Sequence, residues 1–232
     1  MKKTIFAFFA GTLAIAGTGC MKNDGDGIDL PVSSFAVVHA SADAPNLDVF
    51  ANTGLVVQNF AYGADTGYYA TQSGTYNFQV AVTATATALV SQDITMAPDK
   101  AYSVFIIDSF SKIKLTAVED NFTAPPGDSV RIRFLHFSPD APAVDIVSGG
   151  TTVLAGNRSF NDQAANAELT QFITVAAGTY NLDVRLAGTS TILLPLSNTV
   201  LAGGKVYTFY AKGFAAGTGT QALGVGTIVH NE

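Results

Sequence analysis

The sequence predicts an all-β protein made of two tandem β-sandwich domains, and three observations lead to this prediction. A set of motifs occurs twice along the chain in the same order. Short runs alternate apolar and polar residues, and glycine, proline, asparagine and aspartate interrupt them at the spacing typical of a sandwich or barrel. Threonine, valine and phenylalanine are plentiful while lysine, arginine and glutamate are scarce, so the composition favours strands over helices.

Residues 1–19 have the organisation of a secretory signal peptide. Lys2 and Lys3 precede an apolar run over residues 5–16, which is too short to cross ~30 Å of hydrocarbon. Cleavage after this segment leaves Cys20, the single cysteine, at the new N-terminus. The segment resembles a bacterial lipoprotein signal, which implies that Cys20 carries a fatty acid such as palmitate. The alternative is an ordinary signal peptide that leaves a free thiol, and it is disfavoured because such a thiol is reactive.

Residues 20–31 are polar, acidic and rich in glycine, so they cannot bury apolar surface and are expected to form a flexible tether. Their acidic residues resemble the short signal that sends lipoproteins of the Bacteroidetes group to the outer face of the outer membrane. A plain linker is the alternative. The sequence therefore predicts an extracytoplasmic protein that contacts the lipid bilayer through Cys20, is anchored in the outer membrane and is exposed at the cell surface.

The first repeat, residues 32–122, shows the strand pattern most clearly. In "TYNFQVAV" the residues expected on the same side of a strand are Tyr76, Phe78, Val80 and Val82. The segment "TYNLDVRL" has the same pattern in the second repeat, residues 130–232. Alternation of this kind indicates strands with one buried and one solvated face, so we expect two immunoglobulin-like or transthyretin-like antiparallel sandwiches.

The two repeats are separated by residues 123–129, where consecutive prolines interrupt regular structure. We place the domain boundary there and expect each repeat to fold on its own. The segment "DQAANAELT" of the second repeat is the one candidate helical turn after the signal peptide.

The opening motif of each repeat carries a family resemblance. "VVHASADAPNLDVF" begins at residue 37 and returns as "FLHFSPDAPAVDIV" at residue 134, and "GTYNFQV" and "KAYSVFI" also have second copies. These segments resemble the bacterial domain-of-unknown-function family 4397, present here as two tandem copies. The second copy departs from the pattern where Tyr62-Gly63 stands in the first, and we place Asn161-Asp162 there. The resemblance implies surface-anchored β-sandwich domains and no known activity.

The repeated loop supplies the candidate site residues, which are His39, Ser41, Asp43, Pro45 and Asp48 in the first copy and His136, Ser138, Asp140, Pro142 and Asp145 in the second. A histidine, a serine and an aspartate suggest a catalytic triad. However, residues two apart on a strand splay their side chains, and no nucleophile-elbow sequence is present. One histidine and two aspartates without a cysteine support a zinc site only weakly. We therefore favour a structural turn, held by the aspartates and the proline.

Three tyrosines near a glycine-rich loop, Tyr62, Tyr68 and Tyr69, are candidate contacts for a sugar or a protein. Packing at the rim of the sandwich is the favoured alternative, because tyrosine commonly buries its ring and leaves its hydroxyl in water. No tryptophan, the commonest sugar-stacking residue, is present.

The charge and the motifs limit the functions that the chain can have. It carries 18 acidic and 12 basic residues, for a formal net charge of −6, which argues against a nucleic-acid partner. The motifs predict no metal and no cofactor. We expect a non-catalytic surface lipoprotein that binds a protein or a glycan, or that spaces another module from the membrane. The alternative is a hydrolase or metal-dependent enzyme built on the repeated His/Ser/Asp loops.

Overall fold

A computed structural model describes residues 30–231. The signal peptide 1–19, Cys20 and nearly all of the tether 20–31 lie outside the described residues. The described part contains no helix that is long and apolar enough to cross a bilayer.

The first repeat forms eight strands in the described chain. They are β1 Val32–His39, β2 Leu47–Ala51, β3 Gly54–Phe60, β4 Tyr69–Gln72, β5 Gly74–Val82, β6 Ala88–Met96, β7 Ala101–Ile107 and β8 Lys114–Asp120. A short 3₁₀ turn, Phe110–Lys112, separates the last two strands.

The second repeat forms the same series of strands. They are β9 Ser129–His136, β10 Val144–Ser148, β11 Thr152–Arg158, β12 Ile173–Ala176, β13 Gly178–Leu186, β14 Ile192–Leu201, β15 Val206–Lys212 and β16 Gly224–Val229. The candidate helical segment between β11 and β12 forms two 3₁₀ turns, Asp162–Ala164 and Ala167–Thr170, and a third, Gly219–Gln221, precedes β16.

Each repeat is a sandwich of two four-stranded sheets, which confirms the all-β prediction. The sheets have the orders β4-β1-β7-β8 and β3-β2-β5-β6 in the first domain, and β12-β9-β15-β16 and β11-β10-β13-β14 in the second. The expectation of wholly antiparallel sheets is wrong at one place in each domain. Strand β1 pairs in parallel with β7, and β9 pairs in parallel with β15. Neither pair is joined by a hairpin, so the chain can enter both strands from the same end.

The alternation seen in the sequence sorts side chains between core and solvent. On β5, Phe78 and Val80 are fully buried, while the intervening polar residues Asn77 and Gln79 lie on the outer face. Each sandwich has its own apolar cluster between its two sheets. The fold is thus stabilised mainly by apolar burial, since the described residues include no cysteine.

A third apolar cluster joins the two domains. It lies between the sheets β4-β1-β7-β8 and β12-β9-β15-β16 and contains Val38, Ala40, Phe105, Ile107 and Val118 from the first domain and Leu135, Phe137, Tyr210 and Ile228 from the second. The rings of Phe105 and Phe137 lie 4.6 Å apart between centroids. Gly226 is required here, because a Cβ at this position would collide with the Tyr210 ring. The two sandwiches are therefore packed against each other through a core of their own.

The linker is part of this packed structure. Pro125 is buried, and the Arg131 guanidinium donates a hydrogen bond to the Thr123 carbonyl, with 3.2 Å between Nη1 and O. The expectation that each domain folds alone stays a prediction, and the shared cluster argues against it.

Candidate functional site

The repeated histidines and serines are enclosed in the fold. His39, Ser41, His136 and Ser138 all have no exposed surface. His39 Nε2 lies 3.4 Å from the Pro45 carbonyl, and the second copy repeats this contact at 3.3 Å, between His136 Nε2 and the Pro142 carbonyl. Each histidine therefore holds the loop that follows it.

The hydrogen-bond geometry at these loops is not that of an activated nucleophile. Neither Nδ1 of His39 nor Oγ of Ser41 has a hydrogen-bond partner among the described residues, and the same is true of His136 and Ser138. A serine nucleophile needs a hydrogen bond to its base and access to substrate, and this pair has neither. Burial lowers the pKa of His39 from its ordinary 6.5 to about 4, although the Pro45 carbonyl opposes this shift. Both observations favour a structural role.

The first aspartate of each loop ties it to a distant turn. Asp43 Oδ1 accepts the backbone N–H of Phe110 at 2.7 Å. In the second copy, Asp140 Oδ1 accepts the N–H of Ala215, also at 2.7 Å, and Oδ2 accepts that of Ala216 at 3.3 Å. Asp43 follows β1 and binds the loop after β7, the parallel partner of β1. Asp140 follows β9 and likewise binds the loop after β15, the parallel partner of β9.

The second aspartate fixes a bulge between two strands. Asp48 is buried, and its Oδ1 accepts the N–H of Asn59 at 2.8 Å and the hydroxyl of Thr83 at 2.9 Å. Asn59 has a left-handed backbone, with φ 55°. The β2–β3 register shifts beside Asp48, so the carboxylate satisfies a backbone donor that the ladder leaves free.

The second copy repeats this arrangement with different neighbours. Asp145 Oδ1 accepts the N–H of Asn157 at 2.7 Å, and Oδ2 accepts that of Gly188 at 2.8 Å. These two backbone hydrogen bonds lower the pKa of Asp145 and outweigh its partial burial. For Asp48, burial acts to raise the pKa, but the bonds from Asn59 and its neighbours outweigh it and the net shift is downward. The geometry is thus that of a duplicated structural loop.

The three candidate tyrosines lie in three different surroundings and form no common surface. Tyr69 packs on Phe35 in the core of the first domain, with 5.7 Å between ring centroids. Tyr62 is half-buried at one end of the domain interface, and the Lys212 ammonium lies 4.5 Å from its ring centroid. The hydroxyl of Tyr68 is enclosed in a polar network at the other end of the interface.

The structure corrects the alignment of the repeats at the Tyr62 loop. The backbone N–H of Gly63 donates to the His39 carbonyl at 2.8 Å, and that of Asn161 donates to the His136 carbonyl at the same distance. Asn161, with φ 54°, is therefore the counterpart of Gly63, with φ 85°. The second copy has Phe160-Asn161 in this place, so the alignment with Asn161-Asp162 was wrong by one residue.

Both of these aromatic rings contact a lysine of the other domain. Lys212 lies over the ring of Tyr62, as described above. Lys114 lies over the ring of Phe160 in the same way, with 4.8 Å between its Nζ and the ring centroid. Burial lowers the pKa of Lys212. Contacts of this type contribute modestly when partly exposed, and here each joins the loop of one domain to a strand of the other.

A buried polar network joins the domains beside the shared apolar cluster. Arg133 of β9 forms an ion pair with Asp120 of β8, and both side chains are fully buried. Asp120 Oδ2 also accepts the hydroxyls of Tyr68 at 2.7 Å and Ser103 at 2.8 Å. Arg133 donates further to the Glu119 carbonyl at 2.8 Å. The charge pair thus has hydrogen bonds beyond its own contact, which a buried pair needs.

The network also includes His230 and Thr208 of the second domain. His230 Nδ1 lies 2.6 Å from the Tyr68 hydroxyl, and Nε2 lies 2.6 Å from the Thr208 hydroxyl. Arg133 Nε donates to Thr208 at 2.7 Å, so the Thr208 proton is free to be donated to Nε2. Since Tyr68 donates to Asp120, Nδ1 carries the proton of a neutral His230. Burial lowers the His230 pKa to about 4, with the Asp120 charge opposing and the Arg133 charge assisting.

An open cleft borders this network on the surface between the domains. Its volume is about 340 Å³. One wall is formed by β8 and the residue after it, Asn121, and the other by the two 3₁₀ turns of the second domain and Phe172, with Arg131 between them. The described residues contain no cluster of histidine, cysteine or acidic side chains arranged to hold a metal ion.

Neither the network nor the cleft was predicted from the sequence. One signal for the network was present: in the run "VRIRFLH", Arg133 lies on the same face of the strand as Leu135, which is apolar and buried. A charge in such a strand points to a buried partner. Nothing in the local sequence indicated that His230, near the C-terminus, would meet Tyr68.

Comparisons with known proteins add a family match. Residues 33–147 match the family model described as Domain of unknown function (DUF4397), which supports the resemblance over the first repeat and the beginning of the second. No curated protein matches the chain. Among solved structures, the Bacillus anthracis TIE protein is similar with 10% sequence identity and a TM-score of 0.23, over 78% of this chain and 34% of that chain. The chain thus spans about a third of that solved chain's length.

Proposed function

We propose that the protein is a non-catalytic lipoprotein of the cell surface, anchored in the outer membrane through Cys20, whose two packed domains act as one binding unit for a protein or glycan ligand. The observation that carries this proposal is the state of the repeated His/Ser/Asp loops. In both copies the histidine and serine are enclosed and the aspartates accept backbone N–H groups.

Two further features support a binding role. The contact between the domains is built from a closed apolar cluster and a buried charge pair, so the pair of sandwiches presents a fixed surface. The cleft between them is open and mostly polar, with no cysteine and no histidine on its walls. Pockets at domain interfaces are common ligand sites.

The anchor is tested by labelling growing cells with an alkyne analogue of palmitate. We expect wild-type protein to take up the label and Cys20→Ala to lose it, because the thiol is the acceptor. Ser41→Ala, which alters a buried side chain far along the chain, serves as the control and should keep the label. Label that persists in Cys20→Ala would refute the anchor. Protease added to intact cells should then digest the protein, and protection until lysis would place it in the periplasm.

A further inference from the structure

The walls of the interdomain cleft are made chiefly of neutral hydrogen-bonding groups. Asn121 and Gln171 are exposed at its rim, and Thr116, Gln163 and Thr170 lie deeper. A side-chain amide offers both donors and an acceptor, and a hydroxyl offers either. Such walls can hydrogen-bond a ligand that itself carries groups able to donate and accept.

The cleft carries no excess charge. Glu119 and Arg131 contribute one charge of each sign, and Asp120 is already paired with Arg133. Glu119 also forms an ion pair with Lys100, at 2.6 Å. Arg131 is the only cation that the described residues place on these walls, so neither a strongly anionic nor a strongly cationic ligand would meet a cluster of opposite charges, and the walls favour an uncharged ligand.

One group on the cleft wall has an unmet hydrogen-bond requirement. The Gln163 side chain is only 5% exposed. Its Nε2 donates to Asn161 Oδ1 at 2.7 Å, while its Oε1 has no partner among the described residues. A buried acceptor without a partner is costly, and Gln163 is the one cleft-lining residue of the described chain with such a group.

The cleft also offers a limited apolar surface. Phe172 is half-buried in its wall, and the guanidinium groups of Arg131 and Arg133 lie 5.1 Å and 4.5 Å from its ring centroid. The Arg131 guanidinium donates to the Thr123 carbonyl, which holds it beside the ring. Since the ring already contacts two cations, recognition of a ligand here depends chiefly on the amides and hydroxyls of the walls.

From these features we propose that the cleft binds a short uncharged glycan; this inference rests on the proposed binding function and specifies its ligand. Sugar hydroxyls both donate and accept, as the walls require. The volume lies at the lower end of that of small-molecule sites, so the bound portion would be short. An extended peptide along the free edge of β8 is the competing occupant, and it is disfavoured because Arg133 already takes the Glu119 carbonyl on that edge.

The test is saturation-transfer NMR on the mature protein, purified from membranes in a zwitterionic detergent that has no sugar headgroup. The probes are the neutral trisaccharides maltotriose, cellotriose, mannotriose and triacetylchitotriose, with trigalacturonate as an anionic probe and trialanine as a peptide probe. We expect at least one neutral trisaccharide to bind. Asn121→Ala, Gln171→Ala and Gln163→Leu should each weaken that binding about tenfold, which is the effect of losing one hydrogen bond.

Gln92→Ala provides the matched control, since Gln92 is an exposed glutamine on β6 outside the cleft. It should bind the trisaccharide as the wild type does. Asn121 and Gln171 are exposed, so their variants keep the test valid if Gln163→Leu does not fold. The glycan proposal is overturned if no neutral trisaccharide binds, if only the anionic or peptide probe binds, or if the cleft variants bind sugar normally. Uptake of palmitate at Cys20 is measured separately, so failure here is distinguishable from failure of the anchor.

Discussion

Asp120 and His230 occupy equivalent positions in the two repeats, and they face each other across the domain interface with 4.0 Å between Asp120 Oδ1 and His230 Nδ1. The equivalence follows from strand pairing: Asp120 pairs with Ala101 at the start of β7, and the backbone N–H of His230 donates to Val206 at the start of β15. The Tyr68 hydroxyl bridges the two side chains. The same position thus supplies an anion in one domain and a neutral imidazole in the other.

The buried charge pair predicts a large effect for Arg133→Met. This change leaves the Asp120 carboxylate buried without its cation, so we expect the free energy of unfolding to fall by about 3–5 kcal/mol. Urea denaturation followed by circular dichroism measures the loss. The double variant Arg133→Met/Asp120→Asn should recover part of it, because no unpaired charge remains. A loss under ~1 kcal/mol in the single variant would mean that the pair is not buried in solution.

The neutral His230 predicts that acid destabilises the protein. Its pKa is about 4 in the folded state against an ordinary 6.5, so the unfolded state binds more protons between these values. The free energy of unfolding therefore falls as pH falls through this window, by up to about 1.4 kcal/mol per pH unit for each such histidine. His39 and His136 also have lowered pKa values and add to the slope.

His230→Gln separates the contribution of His230 to this pH dependence from the contributions of His39 and His136 in the repeated loops. The variant should reduce the slope of unfolding free energy against pH between about 4 and 6.5 by up to about 1.4 kcal/mol per pH unit, the contribution of one titrating group. Its stability at pH 7.5 is also expected to fall, because the hydrogen bonds of His230 are lost. Urea denaturation at a series of pH values provides the slope. An unchanged slope would show that His230 titrates alike in the folded and unfolded states.

The two aspartates of each loop should differ in their importance. Asp48 is buried and accepts hydrogen bonds from Asn59 and Thr83, whereas Asp43 is exposed and accepts one from Phe110. We expect Asp48→Ala to lower the free energy of unfolding by about 3 kcal/mol and Asp43→Ala to lower it less. Thermal and urea denaturation measure both. The reverse order, or normal stability with loss of ligand binding in Asp43→Ala, would argue for a site at this loop.

The shared apolar cluster predicts that the two domains depend on each other. A fragment of residues 30–122 exposes Val38, Phe105 and Val118, which are buried in the intact chain. We expect this fragment and its complement, residues 123–232, to be less stable when separate and to form a one-to-one complex when mixed. Sedimentation and calorimetry follow the association. Two monomeric fragments that each unfold at the midpoint of the intact protein would show that the interface contributes little.

The sequence was sufficient for the class of fold but not for the contacts between its parts. Alternation in segments such as "TYNFQVAV" depends only on which face of a strand is buried, so the sandwiches could be predicted from it. The same alternation does not depend on the direction of the neighbouring strand, and the parallel pairing of β1 with β7 was therefore missed.

The candidate site, like the fold, could be predicted from the sequence only in part. Asp43 and Asp48 lie in loops whose composition is typical of turns, and local chemistry was enough to favour backbone acceptors. Tyr68, Asp120 and His230 come from distant parts of the chain, and only the packing of one sandwich on the other brings them together. Residues that act across an interface of this kind have no common local pattern.

The interface cluster has one further consequence, which concerns how such a protein can change. Most of its members are matched by the equivalent position of the other domain, as Val38 is by Leu135 and Phe105 is by Tyr210, while Ile107 corresponds to Lys212 outside the cluster. The two domains therefore meet nearly as the halves of a two-fold symmetric homodimer would. In a true homodimer every substitution appears twice, and a buried Arg133 would bring a second arginine with it. Joining the halves in one polypeptide removes that constraint. Opposite charges can then evolve on the two sides independently, as the pair Asp120–Arg133 illustrates.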